Sequence, residues 1–367
     1  MIKEHGPMSR AELARRLDIS GTTITRVVGE LESSRVLVQG KTLSSQGAGR
    51  PATALHIEAA NCLVAGIQIG IGNVQLGLFD AMGERLASDQ FDYPLDSSPA
   101  TVVKRIGRAL EALCKRSGIA RDSLLGVGVA VPGPVDVGGR RMLISINLHW
   151  RDVAVADMLE KLTGLSVRVE HNVRSMALAE VRFGLGKGIS SVAFVYLRTG
   201  LGAGLVVQGQ PFSGGVHGAV ELGHLPVIRD GEACVCGGRG CIETVLSHAA
   251  LQKTMARLGI DPEPNALTAL HAAARKRSDA AEALDAIVGP LAMGLSALTT
   301  LLNPERVLLG GALADIPDAL FEQIVEASWR GAFPAIQQSI RMERSRLGPD
   351  AGLCGAAAVA LDRFFYA

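Results

Sequence analysis

Neither sign of charge dominates this chain. Its 37 lysines and arginines face 36 aspartates and glutamates, so no global field draws it to nucleic acid or an anionic membrane, and any such partner has to be met by a local patch. No run of about 18 apolar residues is present to span a bilayer, and Met1 leads into Lys3, Glu4 and His5 rather than an apolar signal core. The protein is therefore expected in the cytoplasm, with no membrane partner. Cysteine is sparse: six residues in 367 are too few for a disulfide scaffold, and three of them crowd into residues 234–241, which reads as metal binding rather than oxidation. Aromatics are scarce as well, at 4% against 43 glycines, a composition suited to an α/β protein with tight backbone approaches to a ligand. The length leaves room for two or three domains, each with its own core.

What is present begins with two helix starts. Ser9-Arg10-Ala11-Glu12 fits a capping box, in which Ser and Glu satisfy each other's orphan amides, and predicts a helix over about 10–17 with Leu13, Ala14 and Leu17 on its apolar face. Ser20 opens a second helix with Ile24, Val27, Val28 and Leu31 at i, i+3, i+4, i+7. Its opposite face carries Thr22, Thr23, Thr25 and Arg26, hydroxyls and a bidentate donor of the kind that base edges and phosphates in a major groove can use. The segment Val36–Thr42 predicts a small hairpin turning at Gly40, the wing of a winged helix. After it, Gly47-Ala48-Gly49-Arg50-Pro51 reads as a flexible arm able to place Arg50 in a narrow minor groove. Residues 1–51 hold eight basic against five acidic residues, the local patch that a balanced chain requires. Only Met1–Gly6 precede Pro7, so the helix that ordinarily leads a winged helix is expected to be truncated or to begin upstream.

From Cys62 onward the pattern changes to strands and glycine turns. Leu63–Ile69 is an apolar run, Gly70-Ile71-Gly72-Asn73 a turn and Val74–Phe79 an alternating strand; a helical pattern at Val102, Val103, Ile106, Leu110 and Leu113 leads to a strand over Gly126–Val131. A similar unit starts at Val192: a strand to Leu197, a glycine loop Thr199-Gly200-Leu201-Gly202-Ala203-Gly204 and a strand over Leu205–Gln208. The architecture is α/β and duplicated, with a ligand cleft expected between the halves.

The densest chemistry lies in Glu221-Leu222-Gly223-His224 and Cys234-Val235-Cys236-Gly237-Gly238-Arg239-Gly240-Cys241-Ile242-Glu243. One imidazole and three thiolates make a closed tetrahedral set, the usual form of structural zinc, with no open position for chemistry. Taken with the strand–glycine–strand units, these segments resemble the ROK family (repressors, open reading frames and sugar kinases), whose fold is that of the actin and hexokinase ATPases. The resemblance runs from Pro7 to the C-terminus. It implies His224, Cys234, Cys236 and Cys241 as ligands of a structural Zn²⁺, and it places Glu221, His224 and Glu243 on the family's sugar contacts. Asn147, in Ser145-Ile146-Asn147-Leu148-His149-Trp150, matches the family's sugar-binding Asn before a Trp. Carboxylates suit the task, since they accept paired hydrogen bonds from vicinal hydroxyls. Thr199–Gly204 matches the second phosphate loop, Asn303–Gly311 the strand and turn near the adenosine pocket, and Ala351–Ala357 the family's ending.

Two departures bear on activity. Gln68-Ile69-Gly70-Ile71-Gly72-Asn73 stands where the kinases carry Asp-x-Gly-Gly-Thr, and a neutral amide cannot offer a hard cation the anionic oxygen it prefers, so metal-ATP binding is expected to be crippled. Glu170-His171-Asn172 stands where they carry Glu-Asn-Asp before a helix ending in Ala-Leu-Ala-Glu. Asn172 thus replaces the base; an amide can hydrogen-bond a sugar hydroxyl but not usefully take its proton, a loss of about 10² to 10⁴ in rate. Asn172 then joins the sugar contacts, while Gln68, Gly70, Gly72, Thr199, Gly200 and Gly202 are remnants of nucleotide loops. His171, at a strand end, is expected to point the other way.

These readings predict a winged helix-turn-helix with its arm over 1–51, a first half over 60–185 and a second half with the zinc segment over 186–367. The expected protein is a transcriptional regulator, a repressor by resemblance, that binds operator DNA as a homodimer or tetramer and binds a sugar without phosphorylating it. An active sugar kinase, control by a protein partner, and loss of DNA binding are the alternatives.

Overall fold

A computed structural model describes residues 1–43, 52–215 and 220–366. The amino end consists of α1 (Ile2–His5), α2 (Arg10–Leu17), α3 (Gly21–Ser33) and an antiparallel ribbon of β1 (Leu37–Leu43) and β2 (Ala52–Ile57). Both helices start where capping chemistry predicts: Ser9 Oγ accepts from the Glu12 N–H at 3.2 Å, and Ser20 Oγ from the Thr23 N–H at 3.1 Å. The Glu12 carboxylate does not complete a capping box; it accepts from Arg16, one turn along, at 2.9 Å. Leu13, Ile24 and Val28 interlock with Met8, Leu37 and Leu55 in a core of their own, whereas Leu17, at the helix end, is 45% exposed. The leading helix is a single turn, anchored by Met1 and Ile2 against that core.

The wing differs from expectation in one respect. Gly40 does not turn the chain; β1 runs through it, because the absent side chain makes room for the His56 ring, which a Cβ at Gly40 would meet at 2.1 Å. The ribbon consequently extends to Ile57, and the glycine arm with Arg50 lies outside the described residues.

The body contains two five-stranded sheets of identical topology. The first comprises β3 (Leu63–Ile69), β4 (Asn73–Phe79), β5 (Arg85–Asp92), α4 (Pro99–Ser117), β6 (Leu124–Val131), a ribbon of β7 (Met142–Ser145) and β8 (Trp150–Val153), α5 (Val155–Thr163), β9 (Val167–His171) and α6 (Asn172–Phe183). The second comprises β10 (Ser191–Leu197), β11 (Leu201–Val207), β12 (Gln210–Pro211), α7 (Glu243–Leu246), α8 (His248–Leu258), α9 (Ala266–Ala274), α10 (Ser278–Leu302), β13 (Arg306–Gly311), α11 (Asp318–Gly331), β14 (Arg341–Arg344) and α12 (Ala351–Phe364). The strand orders are β5-β4-β3-β6-β9 and β12-β11-β10-β13-β14. In each, the first three strands pair antiparallel and the last two join in parallel after helical crossovers. The duplication read from the glycine turns is therefore the observed one.

Helix α10 is long and apolar. Its 25 residues are apolar enough, by length and composition, to cross a membrane. Leu284, Ile287, Leu291, Leu295 and Leu298 instead fill the core of the second sheet, the behaviour of a central core helix.

Helices α6 and α12 pack against each other between the sheets, α12 on β3 and β6, α6 on β10 and β11. Missing side chains permit this approach: a Cβ on Gly128 would stand 2.0 Å from the Ala356 carbonyl oxygen, and one on Gly204 2.5 Å from that of Val173. The segment expected as a loop over 199–204 is accordingly mostly strand. β11 begins at Leu201, leaving Arg198–Gly200 as the turn.

Candidate effector cleft, metal centre and DNA-binding face

The ends of β3 and α6, the β3–β4, β7–β8 and β10–β11 turns and the segment around α7 converge on a cleft of about 600 Å³. Gln68, Gly70, Gly72, Asn147, Asn172, Thr199, Gly200, Gly202, Glu221, His224 and Glu243 all line it. Residues singled out from separate stretches of sequence thus line one cleft. A second cavity of about 1240 Å³ adjoins it through Tyr196 and Arg198 and is lined by Gly311 and Ala312 at the end of β13, where the sequence resemblance expects an adenosine pocket.

Asn172 is the first residue of α6, and its Oδ1 accepts the N–H of Val173 at 2.8 Å. The Ser175 hydroxyl donates to the Asn172 carbonyl at 2.6 Å, closing the first turn. Glu243 Oε2 accepts the Leu201 N–H at 3.0 Å, and a Cβ on Gly200 would fall 2.3 Å from the same carboxylate. Desolvation by the surrounding protein raises the pKa of Glu221, although its side chain opens to the cleft; His224 opposes the shift and the Glu243 charge adds to it. Gln68 is only 8% exposed. Its carboxamide lies over the start of α12, where a Cβ on Gly352 would be 2.0 Å from it.

The expectation for His171 is not met. The residue lines the cleft, because β9 ends there and hands the chain directly to α6. Its Nδ1 is buried and has no hydrogen-bond partner; burial, aided by the Arg174 charge, pushes its pKa down to about 4, which keeps the imidazole neutral at physiological pH. Asp92, Tyr196 and Arg198 also line the cleft. No local pattern marks them; only the strand pairing brings them to this edge.

His224, Cys234, Cys236 and Cys241 meet at the edge of the cleft, which His224 and Cys236 line, their ligand atoms all within 4.8 Å of one another. His224 sits in the 3₁₀ turn Leu222–His224 and the cysteines in a tight loop in which Cys234 N–H donates to the Gly238 carbonyl at 2.8 Å. The Gly238 N–H points at Cys236 Sγ at 3.4 Å and lowers that thiol's pKa, while burial and the two neighbouring thiols push Cys241 up to about 12. One N and three S donors in this arrangement can hold a tetrahedral metal ion, whose charge offsets the cost of ionising buried thiols.

On α3, Thr22, Thr23, Thr25 and Arg26 are exposed together, opposite buried Ile24 and Val28. Thr23 Oγ1 meets Ser20 Oγ at 2.8 Å, and Thr25 donates to the Gly21 carbonyl at 2.8 Å. Arg26 rests on Glu30 at 2.7 Å in a pair whose side chains are both about two-thirds exposed, a weak contact that a phosphate can replace.

A model of the ROK family matches residues 64–363, and a model of winged helix-turn-helix DNA-binding domains matches residues 1–38. The chain belongs to the ROK family. This ROK protein is 26% identical over 373 residues to the DNA-binding transcriptional repressor Mlc of Escherichia coli K12, covering 98% of this chain and 90% of that one. A crystal structure described as that of a ROK family transcriptional regulator homologous to the E. coli Mlc protein superposes with a TM-score of 0.85, at 25% identity, over 98% of this chain and 93% of its own. Similarity to the glucokinase of Halalkalibacterium halodurans is 28% over 306 residues, 79% of this chain and 92% of the enzyme. The ROK body is thus shared with repressors and kinases alike, whereas the match to Mlc also takes in the winged helix.

Proposed function

We propose that this protein is a sugar-responsive, DNA-binding transcriptional regulator of the cytoplasm, acting as a repressor, whose kinase-like body binds a sugar without phosphorylating it. One observation carries the reading: Asn172, at the start of α6 and on the cleft, is an amide at the position that the family resemblance gives to the kinases' base, in a chain whose α3 exposes Thr22, Thr23, Thr25 and Arg26. Gln68 strengthens it, since a neutral side chain folded onto α12 offers a Mg²⁺ ion no anionic oxygen from that position. In this reading Asn147, Asn172, Glu221, His224 and Glu243 hold the sugar hydroxyls. Zn²⁺ on His224, Cys234, Cys236 and Cys241 fixes the segment that carries Glu221, His224 and Glu243, a structural rather than catalytic role. Thr22, Thr23, Thr25, Arg26 and Arg50 meet DNA, and a homodimer or tetramer places paired winged helices on a palindromic operator.

A second reading, that of a sugar kinase, is favoured by the large cavity at Gly311 and Ala312, which offers room for a nucleoside. Titration calorimetry of the zinc-loaded protein with hexoses, pentoses, N-acetylhexosamines and sugar phosphates, with and without MgATP, separates the two when ADP is followed in parallel. Saturable sugar binding without ADP release supports the regulator; sugar-dependent ADP release supports the kinase.

A further inference from the structure

Two helices begin at the cleft and end at the winged helix. Asn172, the first residue of α6, lines the cleft, and Gly352, at the start of α12, lies under the Gln68 side chain that lines it too. Eleven residues later, α6 ends at Phe183, about 16 Å away at 1.5 Å per residue; α12 ends just before Tyr366. The Lys3 ammonium of α1 stands over both rings, 3.9 Å from the Tyr366 centroid and 5.1 Å from that of Phe183.

The two helices have little freedom to slide independently. A Cβ on Gly355 of α12 would stand 2.5 Å from Ser175 Oγ of α6, and an Arg182–Asp362 ion pair joins their far ends. The Arg182 guanidinium also lies 5.8 Å from the Tyr366 ring, and Tyr366 Oη donates to the Ala81 carbonyl at 2.6 Å. On the other side of the contact, Lys3 belongs to the single turn whose Ile2 packs into the cluster containing Ile24 and Val28 of α3. Close-packed elements of this kind move as units.

We infer that α6 and α12 carry cleft occupancy to the recognition helix, and that Lys3, held by Phe183 and Tyr366, is the point at which the displacement passes from the body to the winged helix. The inference rests on the reading of the cleft as an effector site. Lys3 is in this sense a positioning residue, remote from sugar and DNA. A partly desolvated cation–π contact is strong enough to change the coupling between two sites about fivefold to thirtyfold.

Hydrogen exchange on the full-length, zinc-loaded protein tests it, with D-glucose, D-xylose and N-acetyl-D-glucosamine as probes. In the wild type, a sugar that protects amides 172–176 and 221–224 is expected to alter exchange in α1 and α3 as well. Lys3→Met should keep the cleft protection and reduce the α1 and α3 response at least about fivefold, and Lys3→Arg, which retains the cation, should restore it. Cleft protection without any response in α1 and α3, or an undiminished response in Lys3→Met, would overturn the inference. If none of the three sugars protects the cleft, they are not effectors, and the route is tested without ligand through Ser175→Ala, which removes the hydroxyl closing the first turn of α6. That substitution should change α1 and α3 exchange in the Lys3 chain and not in Lys3→Met. Equal changes in both chains, or none in either, would overturn the inference independently of the effector reading.

Discussion

The backbone N–H of Leu201 donates to Glu243 Oε2 at 3.0 Å, joining the first residue of β11 to the residue that follows the metal-binding loop. Glu243 therefore spans two parts of the cleft, the β10–β11 turn on one side and, through Cys241 two residues earlier, the metal centre on the other. Its carboxylate is held before any ligand arrives, which lowers the ordering cost of binding.

Glu243→Gln should preserve the fold, since an amide oxygen can still accept the Leu201 N–H, but should weaken sugar binding. A hydrogen bond to a charged group contributes about 1.5–3 kcal/mol, so an affinity loss of roughly tenfold to a hundredfold is expected by calorimetry. Unchanged affinity would remove Glu243 from the sugar contacts.

Elemental analysis should find one zinc per chain. Chelation, or Cys236→Ser, should release it, increase hydrogen exchange over residues 221–243 and lower the melting temperature, because binding energy at a structural site is folding energy. Sugar affinity should fall with the metal, since His224 is one of its ligands and Glu221 and Glu243 flank the set. A chelated protein with unaltered exchange in this segment would contradict the assignment.

A carboxylate at position 172 should not by itself create a kinase. Asn172→Asp supplies a carboxylate, yet Gln68 remains turned onto α12 beside Gly352 and offers Mg²⁺ no anionic oxygen. No ADP formation above background is expected in a coupled assay. Appearance of sugar-dependent turnover in this single variant would mean that the nucleotide loops are intact.

Folding stability should carry a signature of His171. Its folded-state pKa of about 4 lies below the ordinary 6.5, so between these values the unfolded chain binds the extra proton. Stability is thus full above about pH 6.5, declines as pH falls toward 4 and levels off below it. Denaturant titrations of wild type and His171→Gln should show a smaller decline for the variant across that window. Parallel profiles would mean that His171 does not titrate in this way.

Much of this molecule is legible in its sequence because local chemistry decides it. Ser9 and Ser20 cap the helices they announce, and the spacing of His224, Cys234, Cys236 and Cys241 assembles their side chains within one loop and turn. The misreadings arise where distant packing overrides local preference. Gly40 marks the place where His56 crosses the ribbon and not a turn; Gly202 and Gly204 serve the approach of α6. His171 faces the cleft because β9 stops there, and Asp92, Tyr196 and Arg198 reach it only through sheet pairing that no short segment encodes.

The most direct test of the central claim is selection of random duplex DNA on the zinc-loaded protein, followed by anisotropy titration of the enriched duplex with and without the sugar found by calorimetry. A two-fold symmetric site is expected, with an affinity that sugar changes by about fivefold or more and that Arg26→Ala weakens. No enriched sequence, or an affinity indifferent to the sugar, would contradict the proposed regulator.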